Sequence, residues 1–181
     1  DTLPFGTQRD VYAVVYEWIN HSLAPVHPDE RLSRVLVGGP GCRQPYSASM
    51  LNVSAMSYGS LSKNAVLALY TGAKIGGFAQ NTGEGGLSPY HLEPGGDLIW
   101  QIGTGYFGCR AADGTFDLER FRDTIASTPS IRLVEIKLSQ GAKPGLGGLL
   151  PASKVTPEIA SMRGIPVGVD CWSPSRHRAF H

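Results

Sequence analysis

Apolar and polar residues change rhythm several times along this chain, and each change marks an element. The clearest is at residues 131–138 (IRLVEIKL), where period-two alternation puts Leu133, Glu135 and Lys137 on one face and Val134, Ile136 and Leu138 on the other; a strand is predicted there. Residues 50–55 (MLNVSA) suit a buried strand, with a turn after it at 57–60. Ser62 can then cap a helix through Lys74, with Ala65, Leu67, Ala68 and Leu69 apolar and Gly76-Gly77 ending it. Phe78 and Ala79 open a short strand running into Gln80, Asn81 and Thr82. Asp117 is placed to cap a helix through Ser127, which Pro129 stops. Thr156 followed by Pro157 opens another helix, and residues 167–170 begin a further strand. The alternation predicts a mainly parallel α/β architecture. Ahead of it, residues 1–45 read as an ordered lead-in arm, apolar and aromatic over 11–19 and closed by Pro25 and Pro28.

Composition narrows the picture. With 181 residues, 41% of them hydrophobic, the chain can build one core. It is short of the roughly 250 residues of a full (β/α)8 barrel. A net charge of +1 with mixed signs gives no reason to expect a nucleic-acid partner. No apolar run approaches the roughly 20 residues of a membrane span, and the start at Asp1 has no signal-peptide pattern. A cytoplasmic location is expected, with an anchor upstream of Asp1 still compatible. Cys42, Cys109 and Cys171 are too widely spaced for a metal clip and read as buried or idle thiols; no metal site is expected.

The 23 glycines are clustered beside charged and amide residues, the pattern of functional loops on a rigid scaffold. Three loops follow predicted strands. The first, Ser57-Tyr58-Gly59-Ser60, lets backbone N–H groups approach a flat ring or a phosphate, although ordinary helix capping explains it equally well. The second, Asn81-Thr82-Gly83-Glu84-Gly85-Gly86, sets a carboxylate among glycines, as a pocket with close backbone approach would require. The third runs from Lys137 through Gln140 and Lys143 to Gly148. Lys143 can pair with a substrate carboxylate and Gln140 can hydrogen-bond in the same pocket. Glu135 and Lys137, on one strand face, read as a structural ion pair.

Taken in order, Ser57-Tyr58-Gly59-Ser60-Leu61-Ser62, the Asn81 to Gly86 loop and Lys137-Leu138-Ser139-Gln140-Gly141-Ala142-Lys143-Pro144-Gly145 resemble successive signatures of the glutamate synthase FMN-binding domain. Leu3 to Gln8 and Pro45 to Ser49 resemble the shorter stand-alone members of that family. The resemblance implies the N-terminal portion of a (β/α)8 TIM barrel: an arm over 1–45 packing on the barrel, then a first half-barrel over 46–181 that stops partway. It also implies an FMN-dependent oxidoreductase acting on CH–NH2 donors. The reaction would be reductive amination of 2-oxoglutarate, through 2-iminoglutarate, to glutamate in nitrogen assimilation.

Carried over by motif, Ser57, Tyr58, Gly59 and Lys137 would bind the flavin. Glu84, Gln140, Lys143 and Arg163 would bind the 2-oxo acid, with Lys137 and Glu84 catalytic. Leu149 replaces a substrate-binding glutamine of the large enzymes, which bears on specificity. A nucleophilic cysteine for glutamine hydrolysis is not expected of this chain, and an iron–sulfur cluster would belong only to a part of the parent beyond this chain. The electron donor, ferredoxin or a reduced nicotinamide nucleotide, stays open, as does pairing with a second copy or a missing barrel half. The competing reading is a catalytically inactive half-barrel or interaction module that binds no flavin.

Overall fold

The computed structural model describes residues 9–25, 27, 33–140 and 145–177. Its centre is a parallel sheet of three strands in the order β3 (Gln80–Asn81), β4 (Leu98–Ile102) and β5 (Ile131–Ile136). Residues 53–56 extend this sheet beyond β3 through a short ladder: Val53 N–H donates to Ala79 O at 3.0 Å, Asn81 N–H to Val53 O at 3.1 Å, and Met56 N–H to Asn81 O at 3.1 Å. The strand expected over 50–55 is thus reduced to this stretch. Met50 and Leu51, just before it, are 72% and 69% exposed and have no apolar face to join.

β4 had no counterpart in the expected elements, yet it is the middle strand. Leu98, Trp100 and Ile102 on one face are buried, and Trp100 stacks on Phe121 at 5.5 Å. Phe121 belongs to α3 (Leu118–Ser127), whose cap is Asp117 as its sequence predicts, accepting from Arg120 N–H at 3.0 Å. On the same side, α1 (Lys63–Gly76) starts at the Ser62 cap and ends on Gly77 in the left-handed region at φ 67°. Its Val66 and Tyr70 pack with Leu98. A short helix, α2 (Pro89–Leu92), follows Ser88, whose hydroxyl accepts from His91 N–H.

The opposite face of the sheet carries Ile99 and Leu133 at its amino ends and polar side chains at its carboxyl ends. An antiparallel hairpin, β1 (Arg34–Val37) and β2 (Tyr46–Ser49), closes the apolar end. Tyr46 and Ala48 pack with Ala79, Ile99 and Leu133, and the Tyr46 hydroxyl donates to Asp97 Oδ2 at 2.9 Å.

The strand expected to begin at 167–170 is not a further parallel strand. Gly168 turns the chain at φ 69°, and β7 (Cys171–Ser173) pairs antiparallel with β6 (Gly148–Leu150). Between them lie a 3₁₀ turn (Ala152–Lys154) and α4 (Pro157–Arg163), which Thr156 caps and Pro157 opens. Among the described residues β5 is an edge strand, with Val134 40%, Ile136 60% and Leu138 67% exposed. The architecture shown is mixed α/β with a parallel sheet.

In the arm, Tyr12, Val14, Val15, Ile19 and Leu23 are exposed. No helix among the described residues is long and apolar enough to cross a membrane.

Candidate functional site

Strand polarity gathers the three predicted loops at one end of the sheet. The loop after residues 53–56 brings Ser57 and Ser60, the loop after β3 brings Glu84, and the end of β5 brings Lys137 and Gln140. A cleft of about 250 Å³ opens between them, lined by Met56, Ser57, Ser60, Glu84, Gln101 and Lys137 among others. A smaller one, about 30 Å³, lies beyond Glu84 and is lined by Ser57, Ser60, Glu84, Gly148, Arg163 and Ser173 among others. Ser57, Ser60 and Glu84 belong to both.

Glu84 is the hinge of the arrangement. Its Oε2 lies 3.2 Å from Lys137 Nζ and accepts from Gln140 Nε2 at 2.7 Å, while Lys137 Nζ donates to Gln140 Oε1 at 2.9 Å. These contacts close a triangle in which each group satisfies the other two. The other carboxylate oxygen, Oε1, is turned toward Gly148 and the smaller cleft. Gly103, next to β4, makes room for this: a Cβ there would stand 2.7 Å from Glu84 Cβ.

Lys137 does not pair with Glu135, as its strand position had suggested. Glu135 Oε1 instead accepts from Asn81 Nδ2 at 2.9 Å and from Gln101 Nε2. The sheet pairs Gln101 with Glu135, so two amides reach that carboxylate first, and Lys137 extends past it to Glu84.

Arg163 sits at the C-terminal end of α4 and is 5% exposed. Its Nη2 donates to Tyr58 O at 3.2 Å, its Nη1 to Cys171 Sγ at 3.6 Å, and its guanidinium lies 5.0 Å over the Phe107 ring. Among the described residues its Nε, which is buried, has no hydrogen-bond partner, and no carboxylate is within ion-pair distance. Gly85 carries this close approach, since a Cβ there would be 2.7 Å from Nη2.

Tyr58 turns away from the clefts. Its hydroxyl donates to Glu158 Oε2 at 2.7 Å, and its ring meets Tyr90 edge-on at 4.9 Å. Burial and the Glu158 carboxylate both raise the Tyr58 pKa, and the two tyrosine hydroxyls hold Glu158 below the usual carboxylate range. Gly59 lies under Arg163, with a Cβ position 3.3 Å from Nη2. Lys143 lies outside the described residues. Leu149, on β6, lines the smaller cleft.

Beneath the larger cleft, His91 Nδ1 accepts from Ser88 N–H at 3.0 Å, so the neutral ring carries its proton on Nε2 and donates it to Met56 O at 3.2 Å. Burial pushes the His91 pKa down to about 4. Cys109 is buried, which raises its thiol to about 12. Sequence reasoning missed His91 and Gln101. Gln101 had a signal, the run LIWQI bounded by glycines on both sides, which fits a fully buried strand.

Comparison with known proteins agrees with the motifs. The model of the conserved region in glutamate synthase matches residues 43–181. The glutamate synthase large subunit-like protein YerD of Bacillus subtilis is 43% identical over 86% of this chain, covering 29% of its own length. The archaeal-type glutamate synthase [NADPH] of Thermotoga maritima is 44% identical over 71% of this chain and 22% of its own length. The archaeal glutamate synthase [NADPH] of Methanocaldococcus jannaschii is 42% identical, again over 71% and 22%. The chain therefore spans less than a third of each of these relatives. It belongs to the glutamate synthase family.

Proposed function

With that membership as premise, we propose that this chain forms the amino-terminal part of an FMN-binding (β/α)8 barrel in an oxidoreductase that converts 2-oxoglutarate and ammonia to glutamate. The observation that carries the reading is the contrast around Glu84. On one side is a paired lysine beside a cleft; on the other is a buried arginine with no carboxylate partner among the described residues. A buried unpaired guanidinium is costly, and an anionic ligand would relieve it.

The larger cleft suits a flavin ring. It offers the Lys137 ammonium and the Ser57 and Ser60 hydroxyls. Ser57 would border the cofactor there, while the Tyr58 carbonyl and Gly59, carried over with it by motif, face Arg163. When bound, FMN supplies two-electron hydride chemistry. The Glu84–Gln140 contacts hold Lys137 Nζ at the cleft rather than free in solvent. In the smaller cleft Arg163 would bind a 2-oxo acid carboxylate by charge-assisted hydrogen bonds, and Glu84 Oε1 would take or hold a proton at the reacting nitrogen. Lys143, by its motif, would hold the second carboxylate. Two of the relatives named above carry NADPH in their names, which favours a reduced nicotinamide nucleotide over ferredoxin as donor to the full-length protein.

The test is calorimetric. Full-length, flavin-loaded protein should bind 2-oxoglutarate, and glutarate, which lacks the oxo group, more weakly. Equal binding of every dicarboxylate tried, or of none, overturns the substrate assignment.

A further inference from the structure

Of the two strands in the amino-terminal hairpin, it is β2 that lies on the sheet, through the buried Tyr46 and Ala48. β1 stands one strand further out. Its Arg34 reaches back across β2: the guanidinium donates to Ser47 O at 2.9 Å and, past it, to Gly77 O at 3.0 Å, at the end of α1. The register sets Val37 opposite Tyr46 and Val35 opposite Ala48, and directly opposed residues of an antiparallel pair share a face. Val35 and Val37 therefore carry the apolar surface of Tyr46 and Ala48 beyond the strands described, and there they are 55% and 41% exposed. The reverse face of the hairpin is more polar, with Arg34, Ser47 and Ser49 around Leu36.

We propose that this hairpin is a floor shared by two walls, and that the second wall, seated on Val35 and Val37, is the run of strands that follows β5 in the full-length protein. The inference rests on the barrel reading above and adds the contact that closes its amino-terminal end. Three observations choose this occupant. β5 is an edge strand among the described residues, so the sheet has a side on which to continue. The chain spans less than a third of the relatives compared above, whose remaining length can hold those strands. The ledge is also too small for a second copy, because two half-exposed valines are a minor part of the roughly 800 Å² per partner that a stable dimer buries. The wall already present meets the hairpin with Ala79, Ile99 and Leu133, at or beside the amino ends of its strands. The second wall would meet it in the same way, with small or branched apolar side chains.

Denaturant unfolding of the full-length protein tests this with the double variant Val35→Thr/Val37→Thr and with Leu36→Thr. Threonine keeps the shape and strand preference of valine, so on an open face the pair should be nearly silent. Under a second wall the two hydroxyls are buried in apolar surroundings, and the unfolding equilibrium constant should rise at least about tenfold. Leu36→Thr, on the reverse face, should change it less than about threefold. Hydrogen exchange of the wild type adds the second readout: the β5 amides that point away from β4 should be protected by the next strand. A smaller effect of the valine pair, with those amides protected, overturns the inference and leaves the barrel reading intact. Unprotected β5 amides overturn both, whatever the valines do. A loss at Leu36 as large as that of the valine pair overturns the one-sided contact. So does a wild-type midpoint that rises with protein concentration, which would assign the face to a second copy.

Discussion

Lys137 and Arg163 flank the Glu84 loop, one in an ion pair at 3.2 Å, the other held by a carbonyl, a thiol and an aromatic face. Lys137 follows β5 and Arg163 ends α4, and of the two only Lys137 has a counter-charge among the described residues. A paired lysine beside a cleft is a fixed wall whose charge is already spoken for by Glu84. A buried arginine with no carboxylate beside it among the described residues keeps its charge uncompensated there. On the function proposed above, the two sides of Glu84 would take different ligands: a neutral ring system on the Lys137 side and an anion on the Arg163 side.

The largest expected effect follows from Arg163. Arg163→Leu should weaken 2-oxo acid binding by about 2–5 kcal/mol while leaving FMN affinity near the wild-type value. Calorimetry with each ligand separately checks it, and equal losses for both would merge the two sides into one.

Acid should bring the next largest effect, through the support under Met56. Unfolded, His91 titrates near 6.5; folded, near 4. Between those values the unfolded chain binds a proton that the folded one excludes. The His91 contribution is therefore full above pH 6.5 and falls as pH drops toward 4, by about 3 kcal/mol in all. Protonation would also turn Nδ1 into a donor facing the Ser88 N–H. Urea denaturation across that range should show the loss in wild type and a smaller one in His91→Gln.

Removing the counter-charge of Lys137 ranks below this. Glu84→Gln should cost about 1–3 kcal/mol of stability, because the side chains involved are only 21% and 27% exposed. Denaturant midpoints of wild type and variant measure it. As the low reference, Glu119→Gln, which breaks the exposed 2.8 Å pair with Arg122 on α3, should change stability by less than about 0.5 kcal/mol.

What could be read from the sequence followed its local signals. The caps at Ser62, Asp117 and Thr156 place three helices because each cap bonds within three residues and needs no tertiary partner. Glu84 and Gln140 were singled out from glycine-rich loops after strands, and the structure joins their side chains at 2.7 Å. β4 was not, because flanking glycines and a short apolar run suit a loop as well as a strand; its identity depends on neighbours in the sheet. With β4 went Gln101. The strand expected at 167–170 failed for the opposite reason: a β-like pattern was present, but Gly168 turns the chain before pairing begins. Partner choice for Lys137 also lay beyond sequence, since Glu135 two residues away is closer along the chain than Glu84 but already taken by amides.

The central claim is that two adjoining sites share Glu84, one for FMN and one for a 2-oxo acid. Its most direct test is the visible spectrum of the full-length protein, purified and then titrated with 2-oxoglutarate. The account predicts a yellow protein that releases FMN rather than FAD on denaturation, and a saturable change in the flavin bands as 2-oxoglutarate binds beside the flavin with one carboxylate at Arg163. A colourless protein that stays colourless after incubation with FMN would contradict it, as would flavin bands that never respond to the 2-oxo acid.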